Sequence, residues 1–260
     1  MAAEPIPHDV TDDAFLGGAV HVLQPRTGYR AGIDAVLLAA AVPAAASRPV
    51  RVLDAGAGVG VAGLCLAARV RDAEVVLAEN EAALVALATQ NIARNAMTER
   101  ARVIAADVTA PARVQMPLGL APDHFDHVMA NPPYGVEGRG RPPANTLRAA
   151  AHEMPGGELE IWLRFLARVV RPGGTATLVH RADALATLLA GLVRWFGDIA
   201  VLPLQPRAGA PAIRVIVQGT KASRAPLRLL PPLVLHAADG SFTPEVAALL
   251  RAPAPLDLGR

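Results

Sequence analysis

The sequence predicts an α/β fold in which a mostly parallel sheet carries helices on both faces. Strand-length apolar segments alternate with longer apolar segments from residue 50 to residue 194, and this alternation is typical of parallel strands joined by crossover helices. A glycine-rich turn at residues 54–60 follows the first of these strands. A proline-containing turn at residues 131–134 ends the fourth.

The elements follow in chain order from an N-terminal hairpin. Residues 14–24 predict a short hairpin around Gly17-Gly18, and residues 33–42 predict a helix that lies over the ligand site. The sheet and its helices are then predicted as strand 50–54, helix 59–70, strand 74–79, helix 81–95, strands 102–106 and 125–130, helix 158–170, the turn Arg171-Pro172-Gly173-Gly174, strand 175–180, helix 182–194 and strands 199–203 and 213–219. The last two strands are expected to pair antiparallel at the sheet edge, which gives seven strands in all.

The turn at residues 54–60 predicts a nucleoside-binding site. Its glycines, Gly56, Gly58 and Gly60, allow a sharp turn and a close approach of the backbone to a ligand. The overlapping segment 58–63 also satisfies the dinucleotide fingerprint G-x-G-x-x-G, so the glycines alone leave two cofactor classes open. Asp54 favours S-adenosylmethionine, because a carboxylate before the glycines suits the cationic methionine end of that cofactor better than a pyrophosphate.

Two acidic residues follow the next two predicted strands. Glu79 ends strand 74–79, where a carboxylate can bind both ribose hydroxyls, and Asn80 directly after it is included in the predicted site. Asp107 follows strand 102–106, where it could accept a hydrogen bond from the adenine amine. The structural alternatives are a helix cap for Glu79 and a turn cap for Asp107; we favour the binding role for both.

The tetrapeptide Asn131-Pro132-Pro133-Tyr134 supplies what a planar amine needs beside such a cofactor. The prolines fix φ and remove backbone donors, so the carbonyls of Asn131 and Pro132 and the Asn131 side-chain oxygen are available as acceptors. Acceptors that bind the amine hydrogens favour a tetrahedral nitrogen with a free lone pair, an interaction that strengthens in the transition state. Tyr134 could stack on an extruded base. An isolated match is often only a strand-ending turn, but in this order the two motifs predict methyl transfer to an amino nitrogen.

Basic residues are unevenly distributed along the chain. The formal net charge of +2 says little about nucleic acid, but residues 201–236 contain five basic residues and no acid. The loop predicted at residues 135–157 adds further arginines and should border the substrate entrance. From these segments we predict RNA phosphate contacts at Arg139, Arg141, Lys221 and Arg224. A composition bias is the alternative, because arginine outnumbers lysine 24 to 1.

Length and composition are those of one main domain with small appendages. The chain has 260 residues, of which 52% are hydrophobic, and this is enough for one large core. We predict three segments: 1–48, whose hairpin and helix close over the cofactor site; 49–236, the main domain; and 237–260, a C-terminal tail that packs on it. The single cysteine, the absence of a signal peptide and the absence of a spanning apolar run predict a cytoplasmic protein with no membrane partner.

The chain resembles the Rossmann-like class I S-adenosylmethionine-dependent methyltransferases and, within them, the bacterial tRNA(Val) adenine-37 N6-methyltransferases. The resemblance covers nearly the whole chain and is carried by residues 16–18, 24–39, 53–60, 131–134 and 171–174. The Asp-x-Gly-x-Gly-x-Gly turn is shared by the broad class. The segment Gly-Tyr-Arg-x-x-x-Asp-Ala at residues 28–35 is narrower and indicates the family.

The resemblance implies roles for these motifs. The tetrapeptide would hold the adenine amine, Tyr134 would stack on the base, and Gly56, Gly58, Glu79 and Asp107 would bind the cofactor. The segment around Arg30, Gly32 and Asp34 would close over the methionine end, with helix capping as the alternative for Asp34. The family often has an arginine-histidine-glutamate run after the tetrapeptide loop. This chain has Ala151-His152-Glu153 instead, so substrate roles for His152 and Glu153 stay open.

We therefore expect an enzyme without a metal that methylates N6 of adenosine in tRNA, with the base splayed out of the anticodon loop. One alternative is protein glutamine N5-methylation, although those enzymes usually carry a long helical domain before the cofactor fold, and only about fifty residues precede it here. Another is guanine N2-methylation in ribosomal RNA, where phenylalanine commonly replaces Tyr134. A third is a nucleic-acid-binding protein that keeps the fold without catalysis.

Overall fold

The computed structural model describes residues 9–28, 30–43, 49–133 and 157–259. The strands in these ranges are β1 (Val10–Phe15), β2 (Val20–Pro25), β3 (Val50–Ala55), β4 (Ala73–Glu79), β5 (Ala101–Ala105), β6 (Phe125–Ala130), β7 (Val170–Arg181), β8 (Phe196–Arg207), β9 (Arg214–Lys221), β10 (Arg228–Leu229) and β11 (Leu233–His236). The helices are α1 (Ile33–Ala41), α2 (Val61–Arg69), α3 (Ala82–Arg94), α4 (Ala112–Gln115), α5 (Glu158–Val169), α6 (Leu185–Leu192) and α7 (Pro244–Arg251), with 3-10 turns at Leu16–Gly18, Met116–Leu118 and Ala182–Ala184.

The strands form two sheets. β1 and β2 pair antiparallel, and the other strands form one sheet in the order β10-β8-β9-β7-β6-β3-β4-β5, with β11 also paired to β8. β3 to β7 are mutually parallel, so their carboxyl ends share one edge of the sheet, which we call the carboxyl edge. β3 has β4 as its neighbour on one side and β6 on the other, so the direction in which successive strands are added reverses at β3. Ligands of open α/β sheets bind at the carboxyl edge next to such a reversal point.

The predicted fold class is confirmed. The predicted hairpin, N-terminal helix, alternating strands and helices, and antiparallel pair are all present, and the predicted strand 125–130 has the bounds of β6. One prediction about the edge is wrong, because β10 and β11 lie beyond β8 and are parallel to it, so the sheet has nine strands rather than seven. These strands have two and four residues and flank Pro231-Pro232, a composition that is typical of a loop.

The predicted turn at residues 171–174 lies inside a strand rather than before it. β7 begins at Val170, and its register against β6 jumps from Phe125↔Val170 to His127↔Thr175. Within this bulge, Arg171 Nε donates to Asp126 Oδ1 at 2.7 Å. A Cβ on Gly174 would lie 2.4 Å from the Asp126 carbonyl oxygen, so the bulge requires glycine there. The bulge therefore fixes the register of β6, the strand that leads into Asn131.

Helix α1 is buried on one face of the sheet. Seven of its nine residues are buried, and it contacts β6, β7, α2 and α7. Carbonyls at its C-terminal end accept hydrogen bonds from other elements: those of Ala39 and Val42 from Arg69, that of Ala40 from the Leu256 amide, and that of Ala41 from Gln218. These contacts fix the far end of α1, so its first residues lie at the carboxyl edge.

The chain after β11 packs on the same helix. α7 contacts α1 and the 3-10 turn of the hairpin, and Val246, Leu249, Leu256 and Leu258 are buried. The predicted division at residues 48 and 236 stays a prediction.

No helix in the described ranges combines the length and apolarity needed to cross a bilayer.

Candidate active site

The glycine turn connects β3 to α2 at the carboxyl edge. The amides of Gly56 and Ala57 both donate to the Ala78 carbonyl, at 2.9 and 3.0 Å. Gly56, Gly58 and Gly60 all have positive φ, between 58° and 92°, a conformation that favours glycine. A Cβ on Gly56 would also lie 2.6 Å from the ring of Trp162, and one on Gly60 would lie 2.8 Å from Leu77 Cδ1. Trp162 and Leu77 thus pack tightly against the turn, and a side chain at Gly56 or Gly60 would displace it.

Asp54 lies under this turn with 2% of its surface exposed. Its Oδ2 accepts a hydrogen bond from the Gly63 amide in the first turn of α2, at 2.9 Å. The pKa of Asp54 is raised from 3.8 to about 7: burial is the main cause, the charge of Glu79 adds to it, and the Gly63 hydrogen bond opposes both. The structure gives Asp54 a partner inside the protein, and its predicted role at the methionine end stays a prediction.

Glu79 joins the glycine turn to the start of α3. Its Oε2 accepts from the Gly58 amide at 2.8 Å, and its Oε1 accepts from the amides of Asn80 and Glu81, both at 2.9 Å. A carboxylate has about four acceptor sites, so three amides leave room for a ligand hydroxyl. These three amides all precede the first helical residue of α3, so Glu79 does not cap that helix; it connects the two loops and retains an acceptor site for the predicted ribose contact. Asn80 is exposed beside it.

Asp107 follows β5 at the same edge and is exposed. Its Oδ1 accepts from the amide and the hydroxyl of Thr109, at 2.7 and 2.6 Å. This is an Asx turn, the structural role that the sequence offered as an alternative. The predicted contact with the adenine amine stays a prediction.

The tetrapeptide begins beside the glycine turn. Ala130, the last residue of β6, is in register with Ala55, the last residue of β3. Because neighbouring strands lie about 4.8 Å apart, Asn131 and Gly56 leave the sheet side by side. Asn131 is half-buried and Pro132 is buried. Tyr134, Arg139, Arg141, His152 and Glu153 lie outside the described residues.

Arg30 faces the hairpin. Its guanidinium donates to Asp13 Oδ2 and Thr11 Oγ1, both at 2.7 Å, and to the Pro25 carbonyl at 2.9 Å. It therefore fixes the chain between β2 and α1, the segment predicted to close over the methionine end. A binding role for Arg30 itself stays a prediction.

Gly32 and Asp34 lie at the start of α1. Gly32 flanks the first turn, and a Cβ built on it would have no atom within 4 Å, so this position is open. Asp34 does not cap the helix; it pairs with Arg214 at the start of β9, at 3.3 Å. This pair holds the first turn of α1 against the carboxyl edge.

The two described residues predicted to bind RNA lie at the opposite edge of the sheet. Lys221 Nζ donates to Asp123 Oδ1 at 2.6 Å and to the Val170 carbonyl at 2.7 Å, beside the starts of β6 and β7. Arg224 is exposed in the loop after β9, which contacts the start of β8. β6 is six residues long, so both lie about 20 Å from Asn131. This placement gives no support to contacts beside the reacting base, and their RNA contacts stay a prediction.

Sequence reasoning did not single out Trp162 or Asn91. Trp162, in α5, packs its ring against Gly56, and Asn91, in α3, is fully buried and donates to the Val59 carbonyl in the glycine turn at 3.0 Å. A polar residue on a largely apolar helix was the signal for Asn91. No comparable signal links Trp162 to a turn more than 100 residues earlier.

The parallel sheet, the glycine turn at its reversal point and the Asn-Pro-Pro exit of the neighbouring strand define a class I methyltransferase. Residues 31–165 match the model of the methyltransferase small domain family. This chain belongs to that family.

Similar proteins include curated enzymes and solved structures. The tRNA1(Val) (adenine(37)-N6)-methyltransferase of Tolumonas auensis is 29% identical over 88% of this chain and 91% of its own length. The enzyme of the same name from Bacteroides thetaiotaomicron is 30% identical over 62% and 64%. A structure from Agrobacterium tumefaciens, described as a predicted O-methyltransferase, has a TM-score of 0.71 and 32% identity over 86% of this chain and 98% of its own.

A further solved structure carries ligands. The T. thermophilus 16S rRNA N2 G1207 methyltransferase, in complex with AdoMet and guanosine, has a TM-score of 0.54 and 25% identity. The match covers 85% of this chain and 53% of that one.

Proposed function

We propose that this enzyme transfers a methyl group from S-adenosylmethionine to N6 of an adenosine in tRNA, and that the adenosine is position 37 of tRNA(Val). The observation that carries the proposal is the register of Ala55 and Ala130, which lets the glycine turn and Asn131 leave the sheet as neighbours. The names of the T. auensis and B. thetaiotaomicron relatives support the choice of nucleoside and position.

The residues at the carboxyl edge fit this cofactor. Glu79 retains an acceptor site for a ribose hydroxyl after its three amide bonds. The positive φ of Gly56, Gly58 and Gly60 brings backbone rather than side chains to this edge. When bound, S-adenosylmethionine supplies a methyl group on a sulfonium, which is an electrophile that needs only a correctly aligned lone pair.

The chain's own residues would prepare that lone pair. The side-chain oxygen of Asn131 and the carbonyl of Pro132 are acceptors for the two amine hydrogens, and Pro133 removes a competing donor. Two acceptors favour a tetrahedral nitrogen over a planar one, so they bind the transition state better than the ground state. The demand for a general base is small, because the proton leaves after the nitrogen has become cationic.

A cytoplasmic location follows from a tRNA substrate. Recognition of an anticodon-loop base would require that base to be unstacked and splayed out. Arg139, Arg141, Lys221 and Arg224 remain our predicted phosphate contacts, and they would make tRNA binding weaken as salt rises.

The decisive experiment compares Asn131→Ala and Asn131→Asp with the wild type, using tritiated S-adenosylmethionine and unmodified total tRNA. Asn131→Ala loses a side-chain acceptor, so we expect turnover to fall by roughly two to three orders of magnitude with cofactor affinity within threefold. Asn131→Asp keeps an acceptor oxygen of the same size and should retain more activity than the alanine variant.

Nucleoside analysis of the labelled product distinguishes the alternatives. Label in N6-methyladenosine supports the proposal, label in N2-methylguanosine supports the activity of the T. thermophilus neighbour, and label in protein supports glutamine methylation. Full activity in Asn131→Ala would contradict the role of this residue.

A further inference from the structure

Two asparagines, Asn91 in α3 and Asn95 at its C-cap, hold the N-terminal hairpin. Asn91 Oδ1 accepts from the Leu23 amide at 2.8 Å, and its Nδ2 donates to the Leu23 carbonyl at 3.0 Å. Asn95 makes the same pair of bonds with His21, at 2.9 and 2.7 Å. Each side-chain amide thus pairs with one residue of β2 as a neighbouring strand would.

The spacing of the two asparagines matches that of the strand. Residues four apart on a helix have Cβ atoms about 5–6 Å apart, and residues two apart on a strand are separated by about 6.7 Å. Alternate residues of a strand direct their amides and carbonyls to the same edge, so His21 and Leu23 present theirs to α3 while the other edge of β2 pairs with β1. The asparagines therefore cover the open edge of the hairpin.

Asn91 makes one contact that Asn95 does not. It is fully buried, and its Nδ2 also donates to the Val59 carbonyl at 3.0 Å. Glu79 accepts from the amide of Gly58, the residue before Val59, so the two side chains fix successive residues of the glycine turn. Asn95 Nδ2 instead donates to the Asn91 carbonyl within α3, at 2.7 Å.

The hairpin in turn orders the chain that leads into α1. Gln24, in β2, is 1% exposed. Its Oε1 accepts from the Ala31 amide at 2.8 Å, and its Nε2 donates to Asp13 at 3.0 Å and to the Ala31 carbonyl at 3.3 Å. Ala31 immediately precedes Gly32. The glycine turn is therefore connected to the start of α1 by the hydrogen bonds of Asn91 to Val59 and Leu23, and by those of the next residue, Gln24, to Ala31.

We propose that Asn91 is a positioning residue that couples the N-terminal hairpin to the glycine turn and thereby sets the affinity for the methyl donor. The proposal rests on the proposed function, in that S-adenosylmethionine binds at this turn. Asn91 acts through the Val59 carbonyl on one side and through Leu23 and Gln24 on the other. Asn95 binds the hairpin and the α3 backbone but not the glycine turn, so it serves as the matched control.

The test compares Asn91→Ala with Asn95→Ala in the full chain. Calorimetric titration with S-adenosylmethionine and with S-adenosylhomocysteine gives Kd, steady-state assays give KM and kcat, and thermal unfolding gives Tm. We expect both variants to lower Tm, because each removes two bonds to the hairpin. Only Asn91→Ala should raise Kd and KM for the methyl donor, by at least tenfold, with kcat at saturating cofactor within threefold of the wild type.

Equal increases of Kd in the two variants, or an unchanged Kd in Asn91→Ala, would overturn the proposal. If Asn91→Ala does not fold, Asn91→Asp provides the same test, because it keeps the acceptor for the Leu23 amide and loses the donor to the Leu23 and Val59 carbonyls; an unchanged Kd there overturns the proposal as well. A wild-type chain that binds neither S-adenosylmethionine nor its product would refute the proposed function and this inference with it. Binding by the wild type with no effect of Asn91→Ala would refute the inference alone.

Discussion

Asp54 is a buried acid close to a second buried acid, Glu79. In the folded protein its pKa is raised to about 7, chiefly by burial, whereas the unshifted value is 3.8. Between these two values the folded state retains a proton that the unfolded chain has released. The free energy of unfolding therefore falls as pH rises from about 4 to about 7, and this contribution then becomes constant.

The substitution Asp54→Asn should remove that pH dependence. Asparagine keeps an oxygen for the Gly63 amide and has no proton to lose, so the variant should lack a slope of about 1.4 kcal/mol per pH unit that the wild type shows in this window. Urea unfolding at pH 5, 6, 7 and 8 measures the difference. Asp72→Asn, at an exposed position before β4, should keep the wild-type slope. An unchanged slope in Asp54→Asn would show that Asp54 is ionised in the folded state throughout.

Sequence alone identified those residues of the candidate site that lie next to one another in the chain. The glycine turn and the tetrapeptide are local patterns, and each follows a recognisable strand. Asn91 could not be identified in this way, because its partners Leu23 and Val59 are 68 and 32 residues away. For Glu79 and Asp107 the residue types are compatible with either ligand binding or capping, and only the structure separates these roles: Asp107 caps a turn, whereas Glu79 binds amides of two loops rather than a helix end.

Among the elements, α7 has an N-terminal cap whose contribution to stability can be measured directly. Thr243 Oγ1 accepts from the Val246 amide at 3.4 Å and donates to the Val234 carbonyl at 2.8 Å. The hydroxyl thus caps α7 and also ties it to β11. Pro244 at the first helical position is preorganised for the helix and lacks a donor that would otherwise be unsatisfied.

We expect Thr243→Ala to lower the free energy of unfolding by about 0.5–2 kcal/mol, the usual cost of losing an N-cap side chain. Thr243→Ser keeps the hydroxyl and should lose less than half of that. Urea unfolding of both variants provides the comparison. Equal losses would indicate that the methyl group of Thr243, rather than its hydroxyl, stabilises this end of the helix.

Elements with a clear apolar pattern were predicted well, and those that depend on tertiary pairing were not. β6 is a fully buried run of six residues and has the predicted bounds. β10 and β11 form only because β8 extends far enough to pair with them. The turn at residues 171–174 has typical turn residues, but pairing on both sides of it makes it a bulge in β7.

At the scale of the molecule, the N-terminal hairpin and the C-terminal helix α7 contact each other beside α1. A Cβ on Gly17, in the 3-10 turn of the hairpin, would lie 2.4 Å from the carbonyl oxygen of Arg251 at the end of α7. The Leu256 amide donates to the Ala40 carbonyl of α1 at 2.8 Å. The C-terminal segment thus covers α1, whose first turn lies at the candidate active site. We therefore expect loss of this segment to destabilise both the fold and that site.

Deletion of residues 237–260 should therefore unfold most of the protein at 25 °C. The deletion removes four buried apolar side chains, Val246, Leu249, Leu256 and Leu258. Each contributes about 1.5–3 kcal/mol, so the loss is comparable to the usual total stability of about 5–15 kcal/mol. Circular dichroism during thermal unfolding measures the effect.

The single substitution Leu249→Ala provides a graded version of this experiment. Leu249 is 5% exposed, and a cavity at such a position costs about 2–5 kcal/mol, so the variant should still fold but with a lower Tm. Bound S-adenosylmethionine should raise that Tm, because a ligand that binds only the folded state stabilises it. A deletion variant with the wild-type Tm would mean that residues 237–260 are a dispensable tail, and α1 would then depend only on the sheet, α2 and its own C-terminal contacts.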